Sequence, residues 1–221
     1  MRLIRDLLNA AEVSALRAMA EGAVFESGSK TAGSGLAGVK RNQQAQLDAG
    51  SEQRLQSILQ QAFSRHRGLT AYAQPRRFGL PLLSRYREGD DYGRHLDQAL
   101  MGQGSLRADI GMTIFLSDPD SYQGGALVLE TETGEAKVKL PAGSAVAYPA
   151  FYWHRVETVS SGERLVLVSW VQSYVADPSK RAILCELNEA FETLYGAAQT
   201  GPVFDKVQRS YTNLLRLWAE M

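Results

Sequence analysis

The chain has 221 residues, with 24 basic and 24 acidic side chains, three histidines and one cysteine. Balanced charge argues against a nucleic-acid or membrane-surface partner, and the lone Cys185 excludes an intramolecular disulfide. No apolar run reaches the length of a bilayer span, and the opening Met-Arg-Leu-Ile-Arg-Asp carries charge inside its apolar stretch, so no signal peptide is expected and the protein reads as cytoplasmic.

The length suffices for one substantial core, or for one domain with a smaller appendage. A short apolar piece, Leu3 to Leu8, comes first. Asn9 and Glu12 then have capping-box spacing, and Val13, Leu16 and Met19 follow at helical intervals, which predicts an amphipathic packing helix. Ala23 to Phe25 reads as a short strand. Residues 27–38, rich in Gly, Ser and Ala, read as a mobile loop. Val39 to Gln44 is polar and basic. It reads as a solvated strand end, with the lining of a substrate entrance as the alternative. Leu55, Ile58, Leu59 and Phe63 mark a second helix over 51–64, and His66 predicts a cationic cap at its end. From Arg76 to Tyr86 the pattern is strand-like, with Pro81 at an edge or bend.

The next stretch, Tyr-Arg-Glu-Gly-Asp-Asp-Tyr-Gly-Arg-His-Leu-Asp over 86–97, carries the chemistry. In an extended segment side chains alternate, so His95 and Asp97 share a face. His154 lies in a second extended-looking segment, Tyr-Trp-His-Arg-Val. Two imidazoles and one carboxylate form the facial triad of non-haem Fe(II) oxygenases. Ten residues beyond His154, Arg164 opens the run Leu165-Val166-Leu167-Val168. Its planar fork suits a dicarboxylate such as 2-oxoglutarate. The spacing alone leaves two other readings open. One is a zinc hydrolase, which no HExxH pattern supports; the other is a non-catalytic small-molecule-binding jelly roll.

Residues 99–106 read as a loop near the metal. Strands are expected over 107–117, 126–130, 137–140, 144–148 and 164–172, with turn signals at Ser117-Asp118-Pro119-Asp120, Thr133-Gly134, Pro141-Ala142-Gly143 and Ser160-Ser161-Gly162. Short strands at regular intervals, with ligands on an inner face, predict a double-stranded jelly roll. Asp177-Pro178 then starts a helix marked by Ile183, Leu184, Leu187, Phe191 and Leu194. Val203 to Trp218 gives another. The expected fold is α+β, with a barrel and packing helices over 1–177 and a helical extension over 178–221. That extension is too small to fold alone, so it packs on the barrel or makes a homo-oligomer.

Residues 83–177 resemble the PKHD-type hydroxylases, a bacterial branch of the prolyl/lysyl-hydroxylase-like Fe(II)/2-oxoglutarate dioxygenases. The motifs are Arg85-Tyr86, Tyr92-Gly93-Arg94-His95-Leu96-Asp97, Thr113 through Pro119, Gly124-Gly125, Lys139 through Gly143, His154-Arg155-Val156, Gly162-Glu163-Arg164 and Trp170 through Ser173. The resemblance implies a double-stranded β-helix and oxidative hydroxylation. It implies His95, Asp97 and His154 as iron ligands, Arg164 as the 2-oxoglutarate anchor, and L-ascorbate as an iron-reducing helper. The family often has Val-Lys-Asn-Asn where this chain has Val39-Lys40-Arg41-Asn42, so no substrate contact is carried over from that segment.

On this reading the 2-oxo group and adjacent carboxylate of 2-oxoglutarate take two metal positions, O2 takes the third, and succinate and CO2 are released. Tyr92 offers a phenol to the distal carboxylate, and Tyr148, Trp153 and Trp170 read as barrel core, with the border of the pocket as the alternative for Trp153. Substrate selectivity is assigned to loops 27–44, 87–94 and 99–106. Their Lys30, Lys40, Arg41, Arg87 and Arg94, set against Glu88, Asp90 and Asp91, read either as a solvated rim of mixed charge or as a basic side that suits a polar or anionic molecule or a polar peptide segment containing proline or lysine.

Overall fold

The computed structural model describes residues 1–31 and 38–221. Two antiparallel sheets carry the fold. In the larger, the strands run in the order Arg2–Ile4, Ala145–Pro149, Ile110–Phe115, Arg164–Ser173, Leu82–Tyr86, Gln43–Gln46 and Val24–Ser27, and Pro75–Phe78 also pairs with Arg164–Ser173. The smaller has the order Gly134–Val138, Leu127–Thr131, His154–Val156, Asp91–His95 and Lys40–Arg41. A cavity between them is lined from both, by Ser84, Thr113 and Val168 of one and by Tyr92, Leu127 and Val156 of the other. This is the expected jelly roll within an α+β fold.

Strand Arg164–Ser173 explains why its sequence is almost wholly apolar. Leu165, Leu167 and Val171 face a core shared with the helices, while Val166 and Val168 face the space between the sheets. A strand buried on both faces has no solvated side to mark with polar residues. Arg164 keeps the phase of Val166, so it points inward. Leu167 is fully buried, and truncation to alanine is expected to cost about 2–5 kcal/mol.

Helix α1 (Ala10–Gly22) begins with the expected capping box: Glu12 N donates to Asn9 Oδ1 and Asn9 N donates to Glu12 Oε2, both at 2.9 Å. Its Val13 and Leu16 join Leu55, Leu59 and Phe63 of α2 (Ala49–Arg65) against Met112 and Ile114 of the larger sheet. His66 stands at the C-cap of α2 as expected, but its ring serves the next helix: its Nδ1 accepts the Leu69 N–H at 3.1 Å and so starts α3 (Arg67–Ala73). The 27–38 loop is partly a 3-10 turn, Gly28–Thr31, and residues 32–37 lie outside the described residues. Within 99–106 the loop closes a two-stranded ladder, Leu100–Met101 with Leu106–Arg107.

At the C-terminus, Asp177 caps α4 (Pro178–Gly196) by accepting from Ser179 N at 2.8 Å. Helix α5 (Pro202–Trp218) packs on α4 through the Phe191 and Phe204 rings, 4.9 Å apart. Gln74 Nε2 donates to the Tyr211 hydroxyl at 3.2 Å, Glu220 N to Tyr174 O at 2.7 Å, and Arg107 pairs with Glu220. These contacts seat both helices on the α3 side of the barrel. No residue of α5 is fully buried. No helix among the described residues is long and apolar enough to cross a membrane.

Candidate active site

Strands Asp91–His95 and His154–Val156 are neighbours, and their register sets His95 directly opposite His154. Asp97 follows two residues after His95. One ligand atom from each of the three lies within 4.8 Å of the others, and His154 Nε2 stands 3.8 Å from Asp97 Oδ1. Each imidazole is oriented by the backbone two residues earlier: His95 Nδ1 lies 2.8 Å from Gly93 O, and His154 Nδ1 lies 2.9 Å from Tyr152 O. A carbonyl only accepts, so both Nδ1 atoms carry the proton and both Nε2 lone pairs are free. The Tyr92 ring stacks on His95 at 3.5 Å.

Asp97 Oδ2 is buried and, among the described residues, makes no hydrogen bond of normal geometry, the Trp170 indole N–H being the donor beside it. Space for it comes from Gly111, where a Cβ would meet Tyr148 at 2.8 Å and Asp97 Oδ2 at 3.1 Å. Burial raises the Asp97 carboxyl above the usual range. Burial, with neighbouring His154, pushes His95 down to about 3, so the ring stays neutral. An unpartnered buried carboxylate beside two imidazole lone pairs is a costly arrangement that a divalent cation relieves. The three residues therefore fit a metal of the Fe(II) type.

Arg164 is 1% exposed and, among the described residues, forms no ion pair and leaves Nε unpartnered. Its guanidinium lies over the faces of Tyr86 at 4.9 Å and Phe115 at 5.6 Å. The buried Tyr122 hydroxyl lies beside it, also with no hydrogen bond of normal geometry. A buried guanidinium without an anion requires one. Arg94 and Arg155, the other arginines near the ligand segments, are exposed to solvent in part and saturated by Glu130 and Glu135. Arg164 is thus the free fork in the cavity.

The cavity measures about 310 Å³ and reaches His95, Asp97, His154 and Arg164 together. Tyr92 and Tyr148 line it as well. Trp170 is corrected from core to lining, with its Nε1 buried and unpartnered. Trp153 is corrected too: it lies outside, 39% exposed, beneath the Arg94 guanidinium. Segment 39–44 is the largest change. Lys40, Asn42 and Gln44 are buried and line the cavity, so the solvated reading gives way to its alternative. Their i, i+2, i+4 spacing was the available signal, since it puts three polar groups on one face. Burial lowers the Lys40 ammonium to about 8, against the opposing pull of Asp97, so it stays mainly cationic at neutral pH. Tyr122 and Thr31 were not foreseen in the site, since aromatic and hydroxyl residues without a motif spacing carry no sequence signal, and Tyr86 had a place in the Arg85-Tyr86 motif but no role in the cavity.

Residues 81–172 match the family model of the 2OG-Fe(II) oxygenase superfamily. The chain is 46% identical to a PKHD-type hydroxylase of Thermosynechococcus vestitus, over 99% of this chain and 98% of that protein. It is 43% identical to a PKHD-type hydroxylase of Synechococcus elongatus, over 98% of each. Among solved structures, its fold is similar to that of a Pseudomonas putida prolyl-4-hydroxylase, with a TM-score of 0.56 at 24% identity, over 78% of this chain and 91% of that one. It is also similar to a Trichoplax adhaerens prolyl hydroxylase in complex with a hypoxia inducible factor peptide fragment, with a TM-score of 0.58 at 16% identity, over 82% and 86%.

Proposed function

The chain belongs to the PKHD-type hydroxylases of the 2OG-Fe(II) oxygenase superfamily, and from that premise we propose that His95, Asp97 and His154 hold the iron and that Arg164 anchors the distal carboxylate of 2-oxoglutarate. As a member it is an Fe(II)- and 2-oxoglutarate-dependent dioxygenase, which sets aside the non-catalytic barrel and the zinc hydrolase. The observation that carries the residue assignment is the presence, in one cavity, of a free carboxylate-and-imidazole set and a free guanidinium.

Bound Fe(II) supplies the coupling of 2-oxoglutarate decarboxylation, with release of succinate and CO2, to hydroxylation of a substrate. The protein's share is binding and orientation. His95 and His154 present neutral nitrogens held by Gly93 and Tyr152 carbonyls. Asp97 contributes the one negative charge. Arg164 fixes the co-substrate by a bidentate pair. Tyr92 buttresses His95 and offers its phenol, kept protonated by burial, to the co-substrate. The sheets exclude water from this space.

L-ascorbate fits as the reductant that keeps the iron ferrous. The substrate is read as a polar molecule or peptide, with no nucleic acid or membrane involved, in the cytoplasm. Residues 178–221 are read as a structural extension of a 1–177 oxygenase unit, and as a possible dimer surface. The test is succinate formation from 2-oxoglutarate by the Fe(II)-loaded protein. Slow turnover without substrate is expected, lost in His95→Ala. Absence of turnover and of 2-oxoglutarate binding in the iron-loaded wild type would overturn the assignment.

A further inference from the structure

The basic groups around the cavity divide unequally. Lys30 pairs with Glu26, Arg41 with Asp91, Arg87 with Glu163 and Arg94 with Glu130. Lys40 is different. It is 7% exposed, and the single hydrogen bond its ammonium makes goes to Thr31 Oγ1 at 2.8 Å. Among the described residues no carboxylate pairs with it, and residues 32–37 contain no acidic side chain. Among the described residues two of its three donor hydrogens have no hydrogen-bond acceptor, and the ammonium lies over the Tyr92 ring at 5.3 Å.

Asn42 follows two residues on, between the strands Lys40–Arg41 and Gln43–Gln46, and lines the same cavity. It is 4% exposed, and among the described residues neither its Nδ2 nor its Oδ1 makes a hydrogen bond of normal geometry, the Tyr86 hydroxyl being the polar group beside it. Both side chains pack over Gly28, where a Cβ would come 1.9 Å from Asn42 Oδ1 and 3.2 Å from Lys40 Cε. Behind Lys40, Thr31 Oγ1 donates to Gln44 Oε1 at 2.6 Å, which fixes the hydroxyl that receives the ammonium. Buried polar groups are normally satisfied, so a cation and an amide left open side by side point to a ligand.

The charge balance says which kind. A divalent metal and the 2-oxoglutarate dianion cancel each other, and Asp97 cancels Arg164. Lys40 is then the remaining charge of the described lining. We infer that Lys40 and Asn42, backed by Thr31 and Gln44, form the recognition wall for the substrate, and that the substrate presents a carboxylate to it. This rests on the assignment of the metal and 2-oxoglutarate positions above. Lys40 takes one carboxylate oxygen through its free donors, and Asn42 Nδ2 donates to the other.

The experiment uses the full chain loaded with Zn(II) and saturated with 2-oxoglutarate, so that nothing turns over. Probes are small acids, each beside its own carboxamide, and N-acetylated dipeptides ending in carboxylate or in carboxamide; binding is read by calorimetry. The two arms distinguish a free acid from a peptide-borne one. In the wild type at least one acid is expected to bind tenfold or more tightly than its carboxamide. Lys40→Met should abolish that preference while 2-oxoglutarate affinity stays within twofold. Asn42→Asp, which neutralises Lys40 in place, should abolish it too. An absence of any acid preference in the wild type, or a preference that survives Lys40→Met, overturns the inference. So does a tenfold loss of 2-oxoglutarate affinity in Lys40→Met, which would place the lysine in the co-substrate pocket. Failure of the wild type to bind 2-oxoglutarate at all would instead overturn the site assignment, and the inference with it.

Discussion

At the triad, each imidazole is held by a backbone carbonyl, 2.8 and 2.9 Å away, and the carboxylate beside them is left open. At Arg164 the side chain is held by ring faces and a glycine cradle, and its Nε is left without a hydrogen bond among the described residues. Both regions are buried and both carry unpaired polarity, of opposite sign. Hydrogen bonds to the ligand side chains fix which atom faces the cavity. Packing around Arg164 fixes where the guanidinium sits without consuming its Nε donor. One arrangement suits a cation and the other an anion, and each can be broken without the other.

The largest effect is expected at the triad. His95→Ala or His154→Ala should lose metal affinity by at least ~100-fold, since removing a ligand exceeds the 10–100-fold effect of disturbing its orienting partner. Elemental analysis checks occupancy and circular dichroism checks that the barrel persists. Full iron occupancy in either variant would contradict the assignment.

A cradle change comes next. Gly125 has φ +62°, and a Cβ there would stand 2.9 Å from Val159 Cγ2 and 3.2 Å from Arg164 Cδ. Gly125→Ala should weaken 2-oxoglutarate binding roughly three- to tenfold, and destabilise by about 1–3 kcal/mol through backbone strain. Calorimetry showing unchanged co-substrate affinity would mean that the cradle does not position the guanidinium.

Asp97→Asn should lower metal affinity yet stabilise the metal-free protein at neutral pH. Burial holds the Asp97 carboxyl above its usual range. The folded metal-free protein therefore binds that proton more readily than the unfolded chain, and the cost of the charge grows as pH rises through the folded-state value. The variant's Tm should exceed that of metal-free wild type by about 2–4 °C at pH 8, the shift that ~1 kcal/mol produces in a chain of this size. The gap should close toward acid pH. A lower Tm for the variant at pH 8 would show that Asp97 is stabilised by something other than metal.

The smallest effect lies in the helical extension. Tyr211→Phe removes the acceptor for Gln74 Nε2 and should cost ~0.5–1.5 kcal/mol, with metal and 2-oxoglutarate affinities unchanged. A loss of either affinity would tie the extension to the site.

The sequence made the triad legible because two ligands sit at a strand's own period and the third lies in another extended segment. Arg164 was legible as a charge at the head of an apolar run. The strands of the barrel followed from turn residues such as Asp118-Pro119 and Pro141-Ala142-Gly143. What stayed hidden was decided by three-dimensional neighbours. Lys40 and Arg41 look alike in sequence, but opposite faces of one strand put the first in the cavity and the second on Asp91. For the same reason Trp170 lines the cavity and Trp153 lies outside it, half-exposed beneath Arg94. His66 ends one helix as its position suggests, while its ring nitrogen is taken by the Leu69 N–H of the next, a partner that only the fold supplies.

The most direct measurement is a pair of titrations on Arg164→Lys, one with Fe(II) under anaerobic conditions and one with 2-oxoglutarate on the metal-loaded protein. Lysine keeps the charge and loses the planar fork. The account predicts iron affinity within twofold of wild type and 2-oxoglutarate affinity reduced at least about tenfold, or ~1.4 kcal/mol. Unchanged 2-oxoglutarate affinity, or a joint loss of both ligands, would contradict it.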